Sequence, residues 1–353
     1  MSEPLRLNTA PSAAKSEALL AVRQLKVQHR LRAAHPFAPA QLLRAVDEVH
    51  LNLRAGETLG LVGESGSGKS TLARALLGVH EIAAGSIRFD GRELAGLDRK
   101  AWQPLRREIQ MVFQDPLGSL DPRMRIEDIV AEPLEFLCPE LNAIERRARV
   151  TAMLTRVGLD QGLWRQRPRE LSGGQCQRVG IARALVVRPR ILICDEAVSA
   201  LDVSVQQQIL QLLKSLQAET GMAMLFISHD LSVVRQICDR VVVMYFGRIM
   251  EQADAARLFS DPRHPYTKAL LASVPGADPA LRAELLRDGP APDVSVPATG
   301  CLFTARCPMA DHECNRRVPH MHSLRDGGAV ACHYIAEAWV PPQRPGQAQP
   351  QAA

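Results

Sequence analysis

The sequence predicts an α/β fold with a mainly parallel sheet, because two patterns alternate along the chain. Short apolar runs typical of buried strands occur at residues 58–62, 109–113, 191–194, 222–227 and 240–245. Stretches with helical periodicity lie around and between them, at residues 71–77, 173–186, 203–216 and 230–237. Apolar strands that alternate with helices form parallel sheets covered on both faces.

One long stretch departs from this alternation. Between residues 115 and 170 strand signals nearly vanish and helical periodicity dominates, as in residues 143–157. We therefore expect a helical subdomain, at about residues 115–186, inserted in the α/β core.

Length and composition are those of a globular protein. The chain has 353 residues, of which 46% are hydrophobic and 23% charged, and its 43 Lys+Arg and 38 Asp+Glu give a net charge of +5. The mild, dispersed charge does not favour a nucleic-acid partner. No apolar run approaches the roughly 20 residues that span a bilayer, and the first residues lack the apolar core of a secretory signal. We expect a cytoplasmic protein whose membrane role, if it has one, comes through partners.

The ends of the chain suggest further divisions. Residues 1–20 are polar and Ala-rich, residues 275–300 are rich in Pro, Ala and Asp, and residues 341–353 are Pro-rich. We expect disordered tails at both ends, a main domain at residues 21–262, and a C-terminal region at residues 263–340 that includes a linker.

The eight cysteines are distributed unevenly. Four are scattered through the main domain: Cys138, Cys176, Cys194 and Cys238. The other four crowd the C-terminal region: Cys301, Cys307, Cys314 and Cys332. In a reducing cytoplasm this second group is expected to form a metal site or free thiols rather than disulfides, and four thiolates suit an iron–sulfur cluster or zinc.

A glycine-rich motif of the form G-x-x-x-x-G-K-[ST] lies between the strand at residues 58–62 and the helix at residues 71–77. In this context backbone N–H groups and the helix N-terminus bind nucleotide phosphates. Lys69 is expected to place a charge at the β- and γ-phosphates, and the Ser70 hydroxyl to ligate Mg²⁺. The ATP-binding residues predicted here are Gly63, Glu64, Ser65, Gly66, Ser67, Gly68, Lys69, Ser70 and Thr71.

Polar residues end three of the predicted strands. Asp195 and Glu196 follow the strand at residues 191–194, and ligands of open α/β sheets bind at such carboxyl ends. We expect Asp195 to hold Mg²⁺ and Glu196 to act as the general base on the attacking water. At the other two strand ends, Gln114 is expected to reach Mg²⁺ or that water, and His229 to stabilise charge on the γ-phosphate. The predicted catalytic set is therefore Lys69, Gln114, Glu196 and His229, and the predicted magnesium ligands are Ser70, Gln114 and Asp195.

The segment Leu171-Ser172-Gly173-Gly174-Gln175 completes an ordered series of motifs that also includes residues 199–202. Together they resemble the motif set of ABC ATPases over about residues 20–260. The resemblance implies a P-loop NTPase (RecA-like) core, a small antiparallel β region and the inserted helical subdomain. It also implies that two subunits close head to tail around two ATP molecules. Each subunit would then contact its partner's nucleotide through Ser172, Gly173, Gly174, Gln175 and Asp202.

Residues 118–123, 129–134, 259–267 and 300–333 further resemble the ATPases of oligopeptide/dipeptide permeases. This implies an importer of di- or oligopeptides at the cytoplasmic face of the bacterial inner membrane. Its implied partners are two membrane subunits, a second and different ATPase, and an extracytoplasmic substrate-binding protein. Residues 117–133 would help to form the groove that receives a membrane subunit, and a small C-terminal domain would carry the cysteines. In some members of this subfamily such cysteines hold an iron–sulfur cluster, and nearby histidines leave zinc open.

The sequence departs from its family at two positions. His29 stands where most relatives place an aromatic residue that stacks on adenine, and Phe37 is a competing candidate. Cys176 replaces the basic residue usual after Gln175, and we expect it to change the charge beside the shared site.

Other functions stay open at this point. Glutathione, a nickel chelate or an antimicrobial peptide is the alternative cargo. A soluble ABC ATPase that acts on DNA or ribosomes is a further alternative, although the chain lacks the second cassette, coiled-coil insert or basic region of that class. Intact Glu196 and His229 argue against a non-hydrolysing subunit.

Overall fold

The computed structural model describes residues 18–31, 41–199, 201–273, 289–325 and 327–334. Residues 1–17 of the expected N-terminal tail, the whole of the expected C-terminal tail, much of the expected linker and Phe37 lie outside the described residues.

The described strands form two sheets. In chain order they are β1 (Leu20–Leu31), β2 (Gln41–Leu53), β3 (Thr58–Val62), β4 (Ala84–Phe89), β5 (Arg92–Glu93), β6 (Ile109–Val112), β7 (Ile191–Asp195), β8 (Ala223–Ile227), β9 (Arg240–Tyr245), β10 (Arg248–Asp254), β11 (His322–Ser323) and β12 (Ala329–Val330).

The described helices flank these strands. They are α1 (Lys69–Leu76), α2 (Arg99–Trp102), α3 (Leu105–Glu108), α4 (Ile126–Leu137), α5 (Ala143–Arg156), α6 (Gly173–Leu185), α7 (Val203–Thr220), α8 (Leu231–Ile237), α9 (Ala255–Ser260), α10 (Pro265–Leu271) and α11 (His312–Arg316). No helix in the described part of the chain is both long and apolar enough to cross a membrane.

The larger sheet confirms the predicted parallel core. Its order is β11-β12-β10-β9-β3-β8-β7-β6, and the five strands from β9 to β6 run parallel to one another, whereas β10 pairs antiparallel with β9. Every residue of β3, β7 and β8 is buried, which explains why these strands appear in the sequence as unbroken apolar runs. The five predicted strands are all present, with ends that differ by no more than one residue.

The smaller sheet is antiparallel and has the order β2-β1-β4-β5. It confirms the antiparallel β region implied by the family resemblance. The long pair of β1 and β2 lies next to the phosphate loop, because the backbone of Ala45 in β2 faces Gly68.

Helices dominate the stretch between β6 and β7, as the sequence predicts. Asn142 caps α5 by accepting a hydrogen bond from the backbone N–H of Glu145, whose carboxylate accepts one from Asn142 in return. Such a reciprocal pair satisfies two N–H groups that the helix itself leaves free. The buried faces of α4, α5 and α6 share one apolar core with β7 and β8. The predicted limits of the helical subdomain stay a prediction.

The described residues of the C-terminal region (263–273, 289–325 and 327–334), called the C-terminal segment below, pack onto the main core. β12 pairs with β10, and Phe303 and Cys307 belong to the same buried cluster as Tyr245 and Tyr266. A separate small domain carrying the cysteines is therefore not confirmed.

The central strand β8 generates a stability prediction. Phe226 lies in the middle of this strand with 0% of its surface exposed. We expect Phe226→Ala to lower the free energy of unfolding by about 3–5 kcal/mol, because it removes a buried ring and leaves a cavity. Urea titration followed by circular dichroism measures this change.

Phe136→Ala is the matched control, since the Phe136 side chain is 69% exposed. We expect it to change the free energy of unfolding by no more than about 0.5 kcal/mol. Equal losses in the two variants would contradict the packing described for β8.

Candidate active site

The phosphate loop requires glycine at two positions where it meets neighbouring backbone. Gly63 and Gly68 have φ values of +153° and +103°, which favour glycine. A Cβ on Gly63 would lie 2.1 Å from the carbonyl oxygen of Met244, and one on Gly68 would lie 2.2 Å from that of Ala45. The loop is thus held tightly between β9 and β2, at the N-terminus of α1.

Lys69 folds back over this loop. Its Nζ donates hydrogen bonds to the carbonyl oxygens of Gly63 and Glu64, each at 2.8 Å, and to Ser67 Oγ at 3.2 Å. The residue is only 5% exposed, and burial lowers the pKa of its ammonium group, while the nearby Glu196 carboxylate opposes this shift. A buried cation ringed by loop oxygens fits a polyanionic ligand, because such a ligand places further negative charge beside the ammonium group.

Ser70 and Asp195 provide the oxygen atoms suited to a divalent cation. Ser70 Oγ donates a hydrogen bond to Asp195 Oδ1 at 3.1 Å, which joins the start of α1 to the end of β7. Asp195 is 4% exposed, and burial raises its pKa although the Ser70 hydroxyl acts in the opposite direction. Hydroxyl and carboxylate oxygens are the ligands that Mg²⁺ prefers, so these two residues fit that ion.

Three strand ends converge on one carboxylate. Gln114 Nε2 donates to Glu196 Oε2 at 2.8 Å, and His229 Nδ1 lies 3.3 Å from Glu196 Oε1. These residues follow β6, β7 and β8, which are adjacent parallel strands. The structure therefore brings together the three polar strand ends that the sequence singles out.

The backbone at Glu196 is strained. Its φ is +48°, a left-handed value that costs a residue with a Cβ of order 1–3 kcal/mol. The N–H of Glu196 donates to the carbonyl oxygen of Ile227 at 3.0 Å, which holds this conformation against β8. The turn directs the carboxylate away from the strand and towards Gln114 and His229.

The segment at residues 171–175 forms a separate surface of the same chain. Ser172 caps α6 by accepting a hydrogen bond from Gln175 N at 3.3 Å, and its own N–H donates to Gln175 Oε1 at 2.8 Å. Ser172 and Gly173 are exposed. A Cβ on Gly174 would lie 2.6 Å from Val205 Cγ1, so glycine permits α6 to approach α7 closely. In the described part of the chain, the hydrogen bonds of Ser172 stay within its own helix rather than reaching the phosphate loop.

Asp202 and His29 stand apart from the loop contacts described above. Asp202 precedes α7 and is exposed, with no side-chain bond to the helix N-terminus. His29 lies on β1 opposite Leu43, with its ring edge-on to His80 at 4.8 Å between centroids. Adenine stacking by His29 stays a prediction.

Cys176 is a buried residue of α6. Its thiol is fully buried and donates to the carbonyl oxygen of Pro168 at 3.3 Å, and burial raises its pKa. The thiol is thus packed under the helix rather than exposed on its surface, and the expected change in charge beside the shared site stays a prediction.

The expectation of an iron–sulfur cluster at the C-terminal cysteines is wrong. The four C-terminal cysteines line a cavity of about 20 Å³, enough for about one water molecule. Burial raises the pKa of Cys301 to about 11 and also raises that of Cys332, which disfavours the thiolate forms that bind metals. Among the residues that the structure describes, no group of three or more His, Cys, Asp or Glu side chains could hold a metal ion, so zinc is unsupported as well.

Two residues at the loop have no role in the sequence analysis. The Tyr266 hydroxyl accepts a hydrogen bond from the N–H of Glu64 at 3.0 Å. Arg306 donates from Nη1 and Nη2 to the two carboxylate oxygens of Glu64, at 2.9 and 3.0 Å. The signal available in the sequence was a charged residue inside a phosphate-binding loop, but its partner lies 242 positions away.

The buried carboxylate of Asp195 gives a prediction that concerns stability alone. Burial raises the pKa of Asp195 in the folded state. The ionised carboxylate therefore destabilises the folded protein. This destabilisation is fully present at pH values above the folded-state pKa and is absent well below the unfolded-state pKa. We expect Asp195→Asn to raise the melting temperature of the full chain at pH 7 without added nucleotide, because the amide oxygen can still accept from Ser70. The gain should shrink as the pH falls towards the unfolded pKa of about 3.9. A lower melting temperature than wild type at pH 7 would contradict this account.

Comparison with known families agrees with this geometry. The family model for the ABC transporter matches residues 46–199, and the model for the oligopeptide/dipeptide transporter C-terminal region matches residues 250–314. The oligopeptide transport ATP-binding protein OppF of Haemophilus influenzae is 49% identical over 90% of this chain and 97% of its own. OppF of Salmonella typhimurium is 47% identical over 89% of this chain and 95% of its own.

Solved structures give the same fold. The dimeric post-hydrolysis state of the ATP-binding cassette MJ0796, bound to ADP and Pi, has a TM-score of 0.61 at 29% identity and covers 67% of this chain and 98% of its own. CbiO1 of Clostridium perfringens, part of the transporter complex cbiONQ, has a TM-score of 0.59 at 31% identity and covers 69% of this chain and 91% of its own. The chain is therefore an ATPase that belongs to the ABC transporter family, in the group that carries the oligopeptide/dipeptide transporter C-terminal region.

Proposed function

We propose that this chain powers the import of di- and oligopeptides, as the ATP-hydrolysing subunit of an importer at the cytoplasmic face of a bacterial inner membrane. The observation that carries the hydrolytic part is the convergence of Gln114, Glu196 and His229 at one edge of the sheet. The C-terminal region and the names of the relatives support the peptide cargo.

Glu196 is the proposed general base. Its two carboxylate oxygens face Gln114 and His229, so a water molecule must replace one of these contacts before it can be deprotonated. Gln114 leads into the helical stretch, and a shift of that stretch would free one oxygen. The His229 side chain is 58% exposed, which leaves it able to turn towards a γ-phosphate and stabilise its charge.

The phosphate loop is the proposed ATP cradle. Residues 63–71 supply backbone N–H groups and the N-terminus of α1, and Lys69 supplies the counter-charge. Ser70, Asp195 and Gln114 are the proposed magnesium ligands, and the ion, when bound, neutralises charge that develops on the phosphates.

The exposed start of α6 is the proposed contact for a second ATPase chain. Ser172 and Gly173 are both exposed there, so the Ser172 hydroxyl and the Gly173 backbone are accessible. Free N–H groups at the start of a helix favour an anion, so this surface suits the γ-phosphate of a nucleotide held by a partner. Asp202 lies exposed at the neighbouring start of α7. A related but different ATPase, docked head to tail, is the proposed partner.

A cleft beside the helical stretch is the proposed seat of a membrane subunit. The cavity has a volume of about 510 Å³ and is lined in part by Arg106, Phe136 and Leu137. Phe136, which lines this cavity, is exposed although it is apolar, and Leu117 in the same helical stretch is exposed as well. Two membrane subunits and an extracytoplasmic binding protein complete the proposed importer.

Replacing the base tests the hydrolytic assignment. We expect Glu196→Gln to lower the ATPase rate of the assembled transporter by roughly 10²-fold or more while ATP binding persists, because the amide keeps the shape but cannot accept the proton of water. Lys69→Ala is the companion variant and should weaken ATP binding itself. Full ATPase activity in Glu196→Gln would remove the carboxylate from the mechanism.

The cargo is tested in a bacterial strain that lacks the gene for this chain. We expect the wild-type gene, but not the Glu196→Gln variant, to restore uptake of a radiolabelled tripeptide. Restored uptake of glutathione or a nickel chelate without any uptake of the peptide would contradict the proposed cargo.

A further inference from the structure

Glu64 is a junction between the phosphate loop and the C-terminal segment. Its carbonyl oxygen accepts a hydrogen bond from Lys69 Nζ, its N–H donates to the Tyr266 hydroxyl, and its carboxylate accepts two hydrogen bonds from Arg306. All three polar parts of one loop residue are therefore engaged. Two of them are engaged by the C-terminal segment.

The two residues that reach Glu64 are themselves held in place. Tyr266, Tyr245 and Phe303 form a buried aromatic group, with ring centroids 4.5–5.5 Å apart. The Arg306 guanidinium lies over this group, 5.9 Å from the ring centroids of Tyr245 and of Phe303. Glu64 therefore donates to Tyr266 and accepts from Arg306, two side chains whose freedom is already restricted, so these contacts fix the position of Glu64.

The start of α10 is anchored to the central sheet. Glu251 of β10 is fully buried, and its carboxylate accepts hydrogen bonds from the N–H groups of Arg263 and His264 at 2.8–3.2 Å. His264 Nδ1 then accepts from the N–H of Tyr266 at 3.0 Å. The position of the Tyr266 hydroxyl is thereby set by the sheet that also carries the phosphate loop.

Charge gives the Arg306 contact a second consequence. The Glu64 carboxylate belongs to the loop proposed to bind a triphosphate, and two negative charges held in the same loop repel each other. Arg306 neutralises that carboxylate through a bidentate pair, the strongest geometry open to these two side chains. Without Arg306, a bare negative charge would remain on the loop.

We propose that Arg306 and Tyr266 are positioning residues for the phosphate loop, so that the C-terminal segment forms part of the nucleotide site of its own chain. This inference rests on the proposed function of the loop in binding ATP. Neither residue touches the nucleotide, and each acts through Glu64. The segment that distinguishes this group of ATPases is thus tied to affinity for ATP.

The test compares ATP affinity across matched variants of the full chain, all carrying Glu196→Gln so that ATP is not consumed. We expect Arg306→Ala to raise the Kd for magnesium-ATP by about tenfold in calorimetric titration, because the repulsion from Glu64 is no longer neutralised. Tyr266→Phe, which removes a single oxygen atom, should raise it by about threefold. In the assembled transporter with Glu196 intact, Arg306→Ala should raise KM for ATP and change kcat by less than about twofold.

The decisive variant is the double substitution Glu64→Gln with Arg306→Ala. If Arg306 acts by neutralising Glu64, removing both charges should return the Kd to within about threefold of wild type. Arg306→Lys, which keeps the charge but not the paired geometry, should fall between wild type and Arg306→Ala.

Arg240→Ala is the structural control. Arg240 pairs with Glu57 at 2.8 Å with 19% of its side chain exposed, against 21% for Arg306, but it lies at the opposite end of the parallel strands from the loop. We expect Arg240→Ala to leave the Kd unchanged.

Two results would overturn the proposal. One is an equal Kd for Arg306→Ala and Arg240→Ala, and the other is a double variant that binds ATP no more tightly than Arg306→Ala alone. Failure of the ATP-binding assignment itself would look different, because Lys69→Ala would then bind magnesium-ATP as tightly as wild type.

Discussion

The close approach of the phosphate loop to the backbone on either side of it constrains the whole active edge of this protein. Gly63 and Gly68 meet the carbonyl groups of Met244 and Ala45 at distances that exclude any Cβ. These carbonyls belong to different sheets, so the loop keeps its shape only where the parallel and antiparallel sheets meet. The position of Lys69, and of everything that depends on its charge, follows from that contact.

Several residues around the loop are held in states that are unfavourable by themselves. Lys69 and Asp195 are both buried, and burial favours the neutral form of each by lowering the pKa of Lys69 and raising that of Asp195. Glu196 holds a left-handed backbone conformation beside them. Strain and buried charge of this kind persist only where the surrounding fold holds them firmly, and they are typical of sites that bind charged ligands and catalyse reactions.

Much of this arrangement was predictable from the sequence, and the reason is local. Strands β3 and β9 have their predicted limits because strands buried in a covered sheet are apolar runs between polar segments. The proximity of Gln114, Glu196 and His229 was predictable because the carboxyl ends of parallel strands lie at the same edge of a sheet. What the sequence could not supply was any contact whose partners are far apart in the chain, such as Arg306 with Glu64. The prediction of a metal site at the C-terminal cysteines was wrong because their crowding in the sequence suggested ligands but did not reveal their burial. Burial keeps at least Cys301 protonated at neutral pH.

The pairing of β12 with β10 has a consequence for how the chain can be handled. Glu251 and Gln252 pair with Val330 and Ala329, so the outer edge of β10 is covered by residues far downstream in the chain. A truncation after residue 300, made to isolate the cassette, would uncover that row of N–H and C=O groups. Open sheet borders of this kind recruit strands from other molecules, and a shortened protein of this type would be prone to self-association.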